Sequence, residues 1–448
     1  MTSTIYLSRH ALEEVGERPA TTTSLPAQRS RLLGVDAARG VALFGMIAVH
    51  SLYVSDAAGR PTWTFTIFGG RAAALFAVLA GVGIAFITGR RRVRRTDGLG
   101  PIAGLVVRAL VIGAIGLALG YTDASLALVV LPAYAVMFLM AIPLVFLPTW
   151  LVAFTGLTVA AGTLALRQIL LPQLPEPTYQ NPAFAHLVDH PSALLIELSV
   201  TGVYPAVAWL AYLCAGLVIG RLNLTRIRVV LSLLLTGVTF AVAAPVASSV
   251  LLNRYEGLRQ IWFTQPKSGL NAAETSELLT FGGNGSTPTS TWWWLAVDAP
   301  HTSTPLDLLG TTGSAVALLA VMLLAGHVAR PFPRRAISVL LLPLAAAGSM
   351  TLTLYTAHIM FISSPLDSFG AMTGYLVQVL AIVLSGTAWL ATARHGPLEG
   401  VVAMLSRGAR RLAAGEGRPS RVGLSTHPRA IPRARDYSAY PRTTRWRG

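Results

Sequence analysis

Long apolar stretches, separated by short polar or basic breaks, dominate this chain from residue 34 onward. A helix needs about 20 apolar residues to cross a hydrocarbon core. The pattern predicts about ten such spans, at 34–55, 64–88, 100–120, 124–146, 149–171, 197–220, 227–251, 304–328, 337–362 and 371–393. The breaks GRRRVRR after the second span, GRLNLTRIR after the sixth and ARPFPRR after the eighth are strongly basic. They alternate with arginine-poor breaks: 172–192 holds Glu176 and Asp189 but no basic residue, and 363–370 holds only Asp367. The positive-inside rule then predicts that both termini are cytoplasmic and that 52–63, 172–192, 252–303 and 363–370 face outward. The segment PLVFLPTW at 143–150 decides this topology, because Pro143 and Pro148 suit either a turn between two spans or a kink within one.

The predicted fold class is therefore all-α, a polytopic helical membrane protein in three parts. Residues 1–33 are a polar cytoplasmic segment, 34–393 form the transmembrane domain with a long external loop at 252–303, and 394–448 form a basic tail. Rich in Arg, Pro, Gly and Ser, the tail lacks the apolar surface to fold alone, so disorder is expected there. Its charge, with that of the basic loops, suits anionic lipid headgroups. Residues 1–33 hold no apolar core followed by a small-residue cleavage site, so no cleaved signal peptide is expected. No internal repeat points to an inverted-repeat transporter.

Composition narrows the class further. With 448 residues, 53% of them hydrophobic and 12% charged, and a mean hydropathy of +0.59, the chain is no ordinary soluble protein. A net charge of +16 would suggest nucleic acid in a soluble chain, but the arginines concentrate in short loops and the tail, so no nucleic-acid partner is expected. Cys214 is the single cysteine, which excludes an internal disulfide and a cysteine metal site. Lys267 is the only lysine, a bias that suits a GC-rich genome and hence a bacterial plasma membrane.

The first span, RLLGVDAARGVALFGMIAVHSLYV, carries Asp36, Arg39 and His50 in an otherwise apolar run. Each ionisable group in hydrocarbon costs about 3 kcal/mol, so three on one span suggest a site. The eleven positions from Arg39 to His50 make three helical turns plus about 20°, and Asp36 lies about 40° off their common face. Their rise puts Arg39 and His50 roughly 16 Å apart, one near each membrane surface. Asp36 and Arg39 can pair along the helix, and Arg108 in the third span reaches the same inner depth. Arginine donates two parallel hydrogen bonds to phosphate, so the inner end suits a phosphorylated group. At the outer end, Arg71 in IFGGRAAALF matches the depth of His50, and a neutral imidazole there can take a proton from an attacking hydroxyl or amine. The alternatives are structural: a register-fixing ion pair, a His50 bonded to a neighbouring helix, and an Arg71 that snorkels outward. His301, followed by Asp307, is the second candidate for the reaction centre. His186 and His190 read as a solvated loop rather than a metal pair, Trp292 to Trp294 as an interfacial belt or a sugar-stacking surface, and His358 as a structural hydrogen-bonding group.

Several stretches, in order, resemble a known family: VDAARGVALFGM, TFTIFGGRAAALFAVLAGVGIAF, VLPAYAVMFLM, TGVYPAVAWLAYLCAGLVIGR, TPLDLLGTTGSA, GSMTLTLYTAHI and RHGPLEG. Over roughly residues 31–405 the chain resembles the bacterial YeiB-like family (domain of unknown function 418), related to the heparan-alpha-glucosaminide N-acetyltransferase-like transmembrane acyltransferases. The resemblance implies transfer of an acyl group from cytoplasmic acyl-CoA, acetyl-CoA above all, to a glycan or lipid-linked acceptor on the far side, with no metal. CoA phosphates would then lie near Asp36, Arg39 and Arg108, and the thioester near His50, with Arg71 or nearby donors at its oxyanion. In the heparan enzymes the catalytic histidine follows the first span, whereas SLYVSDAAGRPTW holds none, so His50 or His301 would take that role. A transporter of a polar or lipid-linked solute and a non-catalytic scaffold are the competing readings, and a homo-oligomer is left open.

Overall fold

Lipid cannot hydrogen-bond an exposed backbone, so an apolar chain of this kind must satisfy its amides within helices. The computed structural model describes residues 27–170, 173–285, 287–328, 331–392 and 395–415, and among these helix is the only extended element. In chain order the helices are α1 (Ala27–Ser51), α2 (Trp63–Phe68), α3 (Arg71–Ile87), α4 (Leu99–Leu119), α5 (Leu131–Leu144) and α6 (Thr149–Leu170). Next come α7 (Phe184–Asp189), α8 (Pro191–Ile196), α9 (Ala206–Arg221), α10 (Ile227–Ser249), α11 (Gly257–Thr264) and α12 (Ala272–Phe281). The last five are α13 (Pro305–Ala325), α14 (Pro331–Ser349), α15 (Thr351–Ile362), α16 (Ala371–Thr392) and α17 (Pro397–Ala413).

Each of the ten expected spans carries helix, but among the described residues six are long and apolar enough to cross by themselves. Two more are bent pairs: Pro191–Thr201 with Ala206–Arg221 at 54°, and Arg335–Ser349 with Thr351–Ile362 at 74°, which raises the count to eight. The remaining two, Leu131–Leu144 and Thr149–Gly162, are shorter apolar helices. The expected span 124–146 loses its first turns to a polar structure. There Asp123 accepts from Ser125 N and Oγ (2.9 and 2.7 Å), and Asn181 accepts from Val129 N (2.8 Å) while donating to Ala127 O (3.1 Å).

Pro143 and Pro148 do bracket a turn, and arginines close it. Arg221 donates to Leu147 O (2.8 Å) and Val145 O (3.1 Å), and Arg92 donates to Phe146 O (2.6 Å), which satisfies the carbonyls left over where α5 ends. These arginines come from the basic breaks after α3 and α9, so three breaks expected on one side of the membrane meet at one end of the bundle. His327 Nε2, 3.2 Å from Thr225 O, and Arg410, 2.8 Å from Ile87 O, add the break after α13 and α17 to that end.

The tail corrects the sequence reading. Residues 397–413, expected to be disordered, form α17, an amphipathic helix that buries Val402 and lays Ser406 and Arg410 against Gly100 and Gly104 of α4. The long loop 252–303 is also structured, with Ile261, Trp294, Val297 and Ala299 forming a small core of their own. Trp294 is therefore buried rather than part of an interfacial belt, while Trp292 is exposed.

Backbone contact holds the centre. Where α3 crosses α9, a methyl group at Gly216 would overlap Val78 O and one at Gly81 would overlap Leu213 O, so the two helices touch along their main chains. Gly216→Leu should therefore lower the melting temperature of the detergent-solubilised protein or abolish its folded peak, since overpacking here exceeds the usual penalty of about 1–3 kcal/mol. Gly162 on α6, where an added methyl group would meet no atom within 4 Å, is the control: Gly162→Ala should leave the melting temperature unchanged or slightly raised.

Candidate functional site

A cavity of about 530 Å³ runs through the bundle, and Asp36, Arg39 and Arg108 line it together with His50 and His301. Its walls are apolar, with Phe76, Leu79, Ile84 and Ile112 among them. The five residues come from α1, α4 and the loop before α13.

At the end near the basic loops, Arg39 donates to Asp36 Oδ1 at 2.7 Å, with about a quarter to a third of each side chain open to the cavity. Gly83 lies beside the Arg39 guanidinium, where an added methyl group would sit in ordinary contact at 3.7 Å. Arg108 lies with its guanidinium carbon 5.5 Å from the centre of the Phe138 ring. Its Nε is buried with no hydrogen-bond partner, and Arg108 joins none of the ion pairs among the described residues. Here α14 and α15 break apart at Met350, which exposes the amide groups that begin α15. Glu399, from α17, fills that gap by accepting from Leu352 N (2.5 Å), Thr353 N (3.2 Å) and Thr353 Oγ1 (2.6 Å). A carboxylate suits the positive end of a helix. Glu399, His395 and Thr351 also line the cavity.

At the other end His50 Nδ1 lies 3.0 Å from His358 Nε2, with the two ring planes within 6° of each other and the ring centres 5.3 Å apart. His358, 3% exposed, places its Nδ1 2.6 Å from Gln378 Oε1, and Gln378 Nε2 donates to Ser51 Oγ at 3.2 Å. Close by, His301 sits edge-on to Tyr204 (5.7 Å) and stacks over Trp209 (6.4 Å). His301 adopts φ +56°, a left-handed conformation uncommon for a residue other than glycine, as does Ser303 at +53°. The loop is held there by Ser303 N donating to Asp307 Oδ2 (2.9 Å) and by Thr304 capping α13. Gly70 at φ +67° lets α3 start directly beneath Pro300 and His301. His301 lines the cavity, and its burial pushes its pKa down to about 4.

The structure thus gathers five of the six expected site residues around one cavity and leaves out Arg71. That side chain folds back to donate to Thr66 O, satisfying a carbonyl near the end of α2, and does not line the cavity. His358, read as structural, is the direct partner of His50. Gln378 and Glu399 were missed, although Gln378 is an isolated amide in an apolar run and Glu399 lies in the stretch RHGPLEG. His186 serves locally, its Nδ1 accepting from Ala183 N (3.1 Å) at the start of α7.

Residues 31–247 match the family described as heparan-alpha-glucosaminide N-acetyltransferase, catalytic. The match is to the related group named from the sequence and does not bear on the YeiB-like branch. It covers Asp36, Arg39, His50, Arg108 and Tyr204, while His301, His358, Gln378 and Glu399 lie beyond it. No curated protein matches the chain.

Because the His301 pKa is near 4 in the folded protein and near 6.5 when exposed, the unfolded chain binds its proton first as the pH falls. The stability linked to His301 is complete above pH 6.5 and is lost progressively down to about 4. The melting temperature should fall across that window, and the fall should be smaller in His301→Gln; an identical pH profile for the two proteins would contradict the assignment.

Proposed function

We propose that the cavity transfers an acetyl or short acyl group, a reading supported by the match of residues 31–247 to the heparan-alpha-glucosaminide N-acetyltransferase catalytic family. The donor is acyl-CoA from the cytoplasmic side, and the acceptor is a glycan or lipid-linked hydroxyl or amine on the other. One observation carries this reading: a single cavity joins the cationic pair Arg39 and Arg108 to the imidazole of His50. A volume of about 530 Å³ falls within the usual range of ligand sites and suits a narrow arm more than a whole nucleotide.

In this reading Arg39 and Arg108 bind the CoA phosphates at the inner mouth, where the unpartnered Arg108 Nε has most to gain from an anion. The pantetheine arm extends past the apolar walls and places its thioester near His50. His50 takes the proton from the acceptor while the acceptor oxygen or nitrogen bonds to the carbonyl carbon. The C–S bond then breaks, and the departing thiolate recovers that proton to leave as free CoA. The basic end faces the bacterial cytoplasm, where Arg407, Arg410 and Arg411 of α17 meet anionic lipid.

Purified protein should gain thermal stability from acetyl-CoA and CoA but not from equimolar ATP; an equal response to all three would favour a transport path instead. Arg108→Leu should weaken acetyl-CoA binding by about tenfold or more, measured by calorimetry. His50→Ala should bind acetyl-CoA as the wild type does while losing about 10²- to 10⁴-fold in transfer rate. Full transfer by that variant would remove His50 from the mechanism.

A further inference from the structure

Proton positions around His50 follow from the side-chain amide that ends its hydrogen-bond chain. Gln378 Nε2 donates to Ser51 Oγ, so its Oε1 faces His358 Nδ1, and a carbonyl oxygen only accepts. His358 Nδ1 therefore carries the hydrogen. The neutral His358 ring is left with its lone pair on Nε2, so the 3.0 Å contact to His50 must be donated by an N–H on His50 Nδ1. A neutral His50 protonated on Nδ1 has its lone pair on Nε2, which hydrogen-bonds to nothing among the described residues, on a ring that lines the cavity.

We propose that His358 and Gln378 are positioning residues that hold His50 in its Nδ1–H tautomer, so that Nε2 is the proton-accepting atom of the transfer reaction. This rests on the acyltransferase reading. When Nε2 takes the acceptor's proton, the His50 Nδ1–H bond to His358 becomes charge-assisted, and the positive charge is shared along the chain to the Gln378 carbonyl. The proton returns from Nε2 to the departing thiolate, so the relay ends as it began and needs no further reactant. A carboxylate often orients a catalytic imidazole. Here the neutral groups His358 and Gln378 do so.

The ionisable neighbours are few. His301 approaches from the loop before α13, Tyr355 lies on α15, Tyr204 stands before α9, Tyr134 is on α5, and α16 contributes Tyr375. On α1 itself, Asp36 and Arg39 are paired with each other at the far end of the cavity. No ion pair among the described residues includes His50 or His358.

The test combines two readouts. Nitrogen-15 histidine NMR of wild-type protein in detergent, with His50 and His358 assigned from single His→Gln variants, should show both rings protonated on Nδ1; His50 protonated on Nε2 would overturn the relay. In Gln378→Leu the His50 signal should become a tautomer mixture, and kcat should fall by about 10- to 100-fold with the KM for acetyl-CoA unchanged. Gln378→Glu, whose carboxylate can accept the same hydrogen, should recover much of that loss and move the acidic limb of the kcat profile to higher pH. Equal kcat and pH profiles in all three proteins would overturn the positioning role. Failure of wild-type protein to transfer acyl groups would overturn the acyltransferase reading, while the NMR result supports or overturns the tautomer assignment in either case.

Discussion

In an apolar bundle, every charge and every free backbone amide needs a partner or an opening, because neither lipid nor packed side chains can supply one. This constraint organises the whole molecule. Asp36 neutralises Arg39, the Phe138 ring lies beneath Arg108, and Glu399 closes the exposed start of α15. Each of these groups lines the same cavity, where a ligand or water can reach it. The broken pair α14 and α15 belongs to the same logic. A helix interrupted inside a membrane protein is tolerated where its free amides line a cavity and find a partner, and α17 supplies that partner.

Close helix packing makes the cavity well defined. Glycines at the α3–α9 and α1–α14 crossings bring main chains into contact, leaving little freedom for those helices to shift against one another. The walls of the cavity are built on these crossings, with Leu79, Gly83 and Ile84 coming from α3 and Gly348 from α14. A relay of hydrogen bonds between α1, α15 and α16 needs such a frame, since a displacement of about 1 Å would break a bond of ordinary length.

The family match and the cavity divide the chain differently. Residues 31–247 supply the cationic end and His50, whereas the partners of His50 and the cap on α15 come from the half of the chain outside the match. The site is therefore complete only when both halves are folded together. α17 shows the same dependence at a smaller scale: its sequence is too polar to fold alone, and the face of α4 at Gly100 and Gly104 gives it a surface to cover.

Much of this was legible in the residues themselves. Apolar run length located helix in all ten expected stretches, because hydrophobic burial and backbone satisfaction act locally along a membrane chain. Helical periodicity alone put Arg39 and His50 on one face of α1, since the angle between them depends only on the number of residues separating them. Other features depended on groups distant in sequence. Whether a helix continued or broke was settled by contacts such as Asn181 with residues 127 and 129, or Glu399 with α15. The partnership of His50 with His358 spans 308 positions, and the departure of Arg71 from the site follows from a carbonyl at the end of α2 that no periodicity could reveal. Composition and spacing assign a side chain to a depth and a face, but the identity of its partner is a property of the packed bundle, in which helices far apart in the chain share one low-dielectric space.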